Sequence, residues 1–141
     1  MSTTTLSGFN TAGTYTITAE VTGVDGLSYH DTRQVVVLDA AVFDALLREK
    51  WNAMKGFLNG GNVSSALSYI HPRTGPAFNV MFTNLVAQFL SILVTHTGLN
   101  FVEMHDDYAE YELDTLEGGI LRSYEVVYRK DSSGLWRIKD F

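Results

Sequence analysis

The spacing of apolar residues changes twice along this 141-residue chain, and the order of those changes limits the folds it can adopt. Residues 8–38 alternate apolar and polar side chains, which is the period of a half-buried strand. Residues 39–98 repeat with helical spacing, and residues 99–141 return to alternation interrupted by turns. Helices that precede an antiparallel sheet can cover its apolar face, so the predicted class is α+β.

The first 38 residues predict a β-hairpin. Tyr15, Ile17 and Val21 alternate with threonines and a glutamate, and a Gly-Val-Asp-Gly turn follows at residues 23–26. The second strand starts near Ser28 and ends in an apolar run at residues 35–38. An isolated hairpin is marginally stable in water, so this one must pair with or pack against something else.

Three helices are predicted next. Asp39 is a good N-cap for a helix that ends at the Asn-Gly-Gly of residues 59–61, and Asn62 caps a shorter helix that ends before Pro72. A third runs from Pro76 to Gly98. No Asp, Glu, Lys or Arg lies between Thr74 and Val102, yet polar residues recur along one side of this helix. We therefore expect an amphipathic helix that packs in the core or in an oligomer interface, and no membrane span.

An antiparallel meander completes the chain, with strands predicted at residues 99–104, 108–113, 120–129 and 135–141. Alternation separates a charged face from an apolar, aromatic one. The apolar face is expected to comprise Ala109, Tyr111, Leu113, Tyr124, Val126, Tyr128, Trp136 and Ile138.

Part of the hairpin resembles a known repeat. Phe9, the Gly-Thr-Tyr-Thr-Ile of residues 13–17 and the Val-Val-Val of residues 35–37 resemble the last two strands of the immunoglobulin-like repeats of bacterial surface proteins. In those repeats a tyrosine occupies a Greek-key corner. The resemblance implies that residues 1–38 are the remnant of a repeat, cut from a longer protein at the cell surface or outside the cell. The alternative is a hairpin integral to the domain that follows.

Residues 39–141 resemble the nuclear-transport-factor-2-like, or cystatin-like cone, superfamily. The resemblance lies in a long helix carrying Trp51, a short helix, and strands that close on a Gly-Leu-Trp-Arg-Ile sequence at residues 134–138. It implies three N-terminal helices packed on a curved four-stranded antiparallel sheet, here with an extra N-terminal β-hairpin. One departure is the long third helix, which no clear strand precedes.

Enzymes of that superfamily use a pocket between the helices and the concave face of the sheet. Acid–base work there requires a desolvated carboxylate or histidine, usually beside a tyrosine donor. Our candidate ligand-binding residues for such a pocket are Tyr111, Tyr124, Tyr128, Trp136 and His96. Asp140 at a strand end is the one carboxylate that could join them, so no catalytic residue is assigned. His96 is expected at the end of the third helix, either interacting with the helix dipole or in the pocket.

Composition excludes several other functions. A net charge of −6, with Lys and Arg scattered along the chain, provides no basic surface for nucleic acid. The absence of cysteine excludes disulfides and Cys-based zinc sites. The spacings of the four histidines match no zinc signature, and the acidic cluster at residues 103–107 is typical of a solvated turn. No cofactor or metal is therefore expected.

Two functional hypotheses follow. The first is a non-catalytic accessory or interaction domain of a modular bacterial cell-surface or secreted protein. The alternative is small-molecule binding, or an isomerase- or cyclase-like enzyme, in the aromatic cone pocket. A homodimer is expected, with a protein partner or a small apolar ligand. Residues 1–7 show no targeting segment, so the location stays open, and an extracellular one is favoured if the repeat resemblance holds.

Overall fold

The computed structural model describes residues 11–141, which divide into an N-terminal unit ending at Phe43 and a C-terminal unit, Asp44–Phe141. The polar start of the chain and Phe9 of the repeat-like motif lie outside the described residues.

The N-terminal unit contains a regular antiparallel hairpin. Strands β1 (Gly13–Thr22) and β2 (Ser28–Val37) pair without a register shift. Gly26 adopts a φ of +77°, which glycine tolerates, and the Asp25 carboxylate accepts a hydrogen bond from the backbone of Leu27 at 3.1 Å. Both strands are mostly exposed to solvent.

Four helices follow the hairpin: α1 (Ala40–Asn59), α2 (Val63–Leu67), α3 (Gly75–Leu85) and α4 (Phe89–Leu93). Both predicted N-caps are confirmed. Asp39 Oδ1 accepts hydrogen bonds from the backbone of Ala41 and Val42 at 2.9 and 3.0 Å. Asn62 Oδ1 accepts one from Ser65 at 3.0 Å.

The C-terminal sheet is an antiparallel meander in the order β3–β4–β5–β6. Its strands are β3 (His96–His105), β4 (Tyr108–Glu117), β5 (Ile120–Lys130) and β6 (Trp136–Asp140). Register irregularities leave an extra residue in β3, at Thr97 and at Val102, and in β6, at Lys139. Such irregularities bend a strand and increase its twist.

The chain is α+β, with one two-stranded and one four-stranded sheet. The expectation of three N-terminal helices is wrong. The hairpin occupies the start of the described chain, so the helices follow strands and lie in its middle, and the four-stranded sheet is at the C-terminus.

The prediction of one continuous third helix is also wrong. A 3-10 turn at Val86–Gln88 separates α3 from α4, and strand β3 begins at His96. Leu85, just before the turn, has φ −101° and ψ 0°, which departs from α-helical geometry. Because the segment has no charged side chains, it also lacks the ion pairs that would support a continuous helix.

Aromatic side chains dominate the core of the C-terminal unit. Phe141 packs edge-on against Trp51 at 5.1 Å and is stacked on Phe78 at 4.9 Å, measured between ring centroids. Phe82 is fully buried beside both Phe78 and Phe89. The last residue of the chain therefore joins α1 to α3 and helps to enclose the space between the helices and the sheet.

Candidate ligand-binding site

A cavity of about 200 Å³ lies inside the C-terminal unit. We call it the apolar cavity, because ten of its fifteen lining side chains are apolar. The apolar members are Trp51, Met54, Leu58, Met81, Leu85, Phe89, Ile92, Leu93, Leu113 and Phe141, and the others are Thr95, His96, Thr115, Glu117 and Tyr124.

The local sequence explains why these side chains converge. Trp51, Met54 and Leu58 are spaced three and four residues apart on α1, so they share one face of that helix. Leu85 and Phe89 are also four apart, and thus reach the cavity although the 3-10 turn separates α3 from α4. On β4, Leu113, Thr115 and Glu117 alternate toward the same side of the sheet.

His96 is the most unusual polar group in the lining. Its ring is stacked on that of Trp51, with the centroids 6.1 Å apart. Burial, and then the neighbouring charge of Lys55, lower the pKa of His96 to about 4. Its buried Nδ1 has no hydrogen-bond partner among residues 11–141. The ring is therefore neutral near pH 7, and Nδ1 can pair with a ligand.

The structure places His96 at the start of β3, and this corrects the expectation of a histidine at a helix end. A helix C-terminus would favour the protonated ring and raise its pKa. The observed environment does the opposite, since the ring lies among apolar and aromatic side chains near a lysine.

A polar cluster centred on Glu117 lies at another part of the lining. Tyr124 Oη donates to Glu117 Oε1 at 3.0 Å, and Thr115 Oγ1 donates to the same oxygen at 3.2 Å. Arg122 Nε lies 3.2 Å from Glu117 Oε2. The hydrogen bond to this carboxylate raises the pKa of Tyr124. Three neighbours thus hold the one carboxylate that the described residues contribute to the cavity.

Sequence reasoning missed Glu117 because residues 117–119 were assigned to a turn. The structure continues β4 through Glu117, and only Gly118 and Gly119 form the turn. Leu113, Thr115 and Glu117 are two residues apart, so in one strand they share a face, and this spacing could have predicted that Glu117 points inward.

Tyr111 and Tyr128 lie in the core and outside the lining of the apolar cavity. Tyr111 Oη donates to Asp44 Oδ1 at 2.9 Å, and Tyr128 Oη donates to the backbone oxygen of Leu47 at 2.9 Å. Burial raises the pKa of both tyrosines well above the usual range. Each hydroxyl therefore links the sheet to α1.

Trp136 also lies outside the lining, and the ammonium of Lys130 is 5.1 Å from its ring centroid. Of the five predicted pocket residues, the structure brings together His96 and Tyr124 at the apolar cavity. The acidic residues Glu110, Glu112 and Glu125 do not line it.

Asp44 is an inward carboxylate that the sequence did not reveal. Burial alone would raise the pKa of Asp44, but hydrogen bonds from Arg48 and Tyr111 outweigh that effect and lower it. Arg48 Nε lies 2.8 Å from Asp44 Oδ2, and its guanidinium also donates to the backbone oxygen of Leu99. These contacts fix α1 against β3 and β4.

A second cavity, of about 210 Å³, shares Trp51, His96 and Leu113 with the apolar cavity. Its remaining lining is mostly polar and includes the cations Arg48 and Lys55, together with Gly98 and Leu99. Burial lowers the pKa of Lys55. The stacked rings of Trp51 and His96 therefore lie between an apolar and a polar environment.

Residues 11–141 contain no group of three His, Asp or Glu side chains arranged to hold a metal ion. By length and composition alone, Gly75–Leu93 could cross a membrane, with a mean hydropathy of 1.4 and 17% of the segment buried. The expectation that the chain has no membrane span stays a prediction.

No family model matches the chain, and neither the curated proteins nor the solved structures contain a significant match to it. The resemblances to a cystatin-like cone and to an immunoglobulin-like repeat remain predictions from the sequence.

Proposed function

We propose that the C-terminal unit binds a small, largely apolar molecule in the apolar cavity. The observation that carries this proposal is the cavity itself, about 200 Å³ and lined mainly by apolar side chains. An apolar cavity of about 150 Å³ is enough to stay dry and bind benzene or xenon. The volume here is below the roughly 300 Å³ at which typical drug-sized sites begin, so the ligand has one or two rings or an equivalent chain.

The polar groups of the lining indicate a ligand with one polar end. Buried polar atoms are normally paired, and leaving one unpaired costs about 1–3 kcal/mol. The Nδ1 atom of His96 has no partner within residues 11–141, so a ligand hydroxyl would satisfy it. We therefore expect an apolar phenol or alcohol to bind more tightly than the corresponding hydrocarbon.

Binding is favoured over catalysis by the state of the two titratable groups best placed to act. Glu117 is already hydrogen-bonded by Tyr124 and Thr115 and paired with Arg122. His96, with a pKa of about 4, is a weak base at neutral pH. An isomerase- or cyclase-like reaction would require Glu117 to be released from these partners, or the pKa of His96 to rise toward neutrality.

The test uses 4-ethylphenol and ethylbenzene as ligands and the methionine methyl groups as reporters. Met54 and Met81 line the cavity, whereas Met104 on β3 does not. In ¹H–¹³C spectra of methyl-labelled protein, we expect saturable shifts for Met54 and Met81 and none for Met104. The phenol should give the lower Kd because it can pair with His96.

Two leucines of α4 provide a matched pair of variants. Leu93 lines the cavity, and Leu90 in the same helix is 65% exposed. Leu93→Trp should fill the space and abolish the shifts, while Leu90→Trp should leave them unchanged. Equal binding by both variants, or shifts at Met104 as large as those at Met54, would show that the ligand does not occupy the cavity.

A second candidate function is the interaction domain of a modular bacterial surface or secreted protein. It is supported by exposed apolar side chains in residues 75–101, the segment without charged residues. The side chains of Val80, Leu90 and Val94 are 62%, 65% and 71% exposed. Apolar surface of this kind marks contact sites when it is contiguous. A homodimer is the expected form, and sedimentation velocity at micromolar concentration tests it. If the wild type sediments as a monomer and Leu90→Glu has the same solution mass, self-association through α4 is contradicted.

A further inference from the structure

A cationic groove lies elsewhere on the C-terminal unit, with a volume of about 540 Å³. It is lined by Arg73, Arg129, Lys130 and Lys139, together with His71, Pro72, Ser132 and two aspartates. These four cations are four of the ten Lys and Arg residues in a chain of net charge −6. The four are scattered along the sequence because they come from three different segments of the fold.

Each of the two aspartates is paired with an arginine, and only one of these arginines, Arg129, lines the groove. Asp131 accepts hydrogen bonds from the backbone and hydroxyl of Ser133, and Arg137 Nε lies 3.0 Å from its Oδ2. These bonds hold the pKa of Asp131 well below its usual range. Asp107 Oδ2 lies 3.5 Å from Arg129. Both carboxylates are thus already engaged.

Several of the cations are left with donors to spare. Among residues 11–141, Arg73 and Lys139 form no ion pair. Lys130 contacts the face of Trp136, an interaction that leaves its ammonium donors unused.

Backbone hydrogen bonds hold the two sides of the groove together. The segment between α2 and α3 pairs with β6 through a bridge between Ile70 and Ile138. The His71 amide donates to the Ile138 oxygen at 2.7 Å, and the Ile138 amide donates to the Tyr69 oxygen at 2.9 Å. The backbone of Lys139 is therefore held next to the segment that carries His71 and Arg73.

His71 adds a ring N–H donor to the groove. Its Nδ1 accepts a hydrogen bond from the Arg73 amide at 3.2 Å. In a neutral imidazole the nitrogen that accepts leaves the proton on the other, so Nε2 carries the N–H. The groove thus combines guanidinium, ammonium and imidazole donors on one fixed frame.

We propose that the cationic groove binds an oxyanion of the phosphate type. Guanidinium groups match the geometry of phosphate oxygens, and several cations that line one groove favour a dianion over a single carboxylate. This site is separate from the apolar cavity, since the two share no lining residue.

The test is a titration with inorganic phosphate, glycerol 2-phosphate and acetate at constant ionic strength and pH 7.5, followed by amide shifts in ¹H–¹⁵N spectra. Constant ionic strength is needed because salt screens exposed charges. We expect saturable shifts at the amides of His71, Arg73 and residues 131–134 with phosphate. Acetate should bind at least about tenfold more weakly, since it carries half the charge and makes fewer charge-assisted hydrogen bonds.

Two double variants, each with two positive charges removed, distinguish binding in the groove from general electrostatic attraction of phosphate to the protein. Arg73→Gln/Lys139→Gln removes two cations of the groove, and Arg33→Gln/Lys50→Gln removes two that do not line it. We expect the first to weaken phosphate binding by about tenfold or more and the second to leave it unchanged. If the Arg73→Gln/Lys139→Gln variant does not fold, Arg73→Gln alone is used in its place, because Arg73 is exposed in a loop.

Each outcome has a definite meaning. Saturation by inorganic phosphate alone supports a site for the free ion, and tighter binding of glycerol 2-phosphate supports a phosphate monoester. Equal weakening in the two double variants, equal affinity for acetate, or shifts that do not saturate would overturn the proposal.

Discussion

Acidification should destabilise the C-terminal unit through His96 in particular. The ring has a pKa of about 4 in the folded chain, against 6.5 for an unperturbed histidine. The folded state therefore binds fewer protons than the unfolded state between these values, so stability falls as the pH decreases from 6.5 toward 4. Below about pH 4 the penalty is complete, and above pH 6.5 it is absent.

The size of this effect follows from the shift and from the exposure of the ring. One unit of pKa corresponds to about 1.4 kcal/mol, so the full shift would amount to roughly 3 kcal/mol. Because the ring is half-buried and solvent screens part of the interaction, we expect about 1–2 kcal/mol. Lys55 contributes to the penalty, since its charge opposes protonation of His96.

The measurement is urea unfolding of the wild type and of His96→Gln at pH 7.5 and at pH 4.5. Carboxylates that titrate in this range affect both proteins alike, so the difference between them isolates His96. We expect the variant to lose less stability on acidification than the wild type. If the two proteins lose the same amount, or if the NMR titration of His96 gives a pKa near 6.5, the reasoning about this site is refuted.

Three further predictions concern the packing around the site. Tyr111→Phe removes the hydrogen bond to Asp44, while Arg48 remains beside that carboxylate. The free energy of unfolding should therefore fall by about 1 kcal/mol, and a loss below about 0.3 kcal/mol in urea titrations would contradict this. Phe82→Ala should cost about 3–5 kcal/mol because Phe82 is fully buried among aromatic rings, and a thermal midpoint close to the wild-type value would argue against that packing. Asp131→Asn should lower the urea midpoint of unfolding at pH 7. A carboxylate with a lowered pKa stabilises the fold only while it is ionised, so the difference from the wild type should shrink as the pH falls below 3.8. A difference that does not depend on pH would be inconsistent with this role.

Local signals in the sequence were sufficient to predict the caps and most of the strands. Asp39 and Asn62 act as N-caps because their side chains reach amides two or three residues away, and this depends on nothing distant. Alternation likewise placed Tyr111 and Ile138 on the buried face.

The features that failed depend on contacts between distant parts of the chain. Tyr111 was expected to line a pocket, yet Asp44, 67 residues away, pairs with its hydroxyl in the core. His96 was placed at a helix end because periodicity does not show that the helix stops at Leu93 and that a strand starts at His96. The cationic groove was invisible for the same reason, since its side chains meet only after the sheet has formed.

A crystal structure of the protein soaked with 4-bromophenol would show whether the apolar cavity binds a small aromatic molecule. The bromine gives an anomalous signal that locates the ligand without reference to any assumed pose. The account predicts one strong peak inside the apolar cavity near Met54 and Met81, with the hydroxyl within hydrogen-bond distance of His96 Nδ1. A cavity that contains no bromine while peaks appear only on the surface would contradict it.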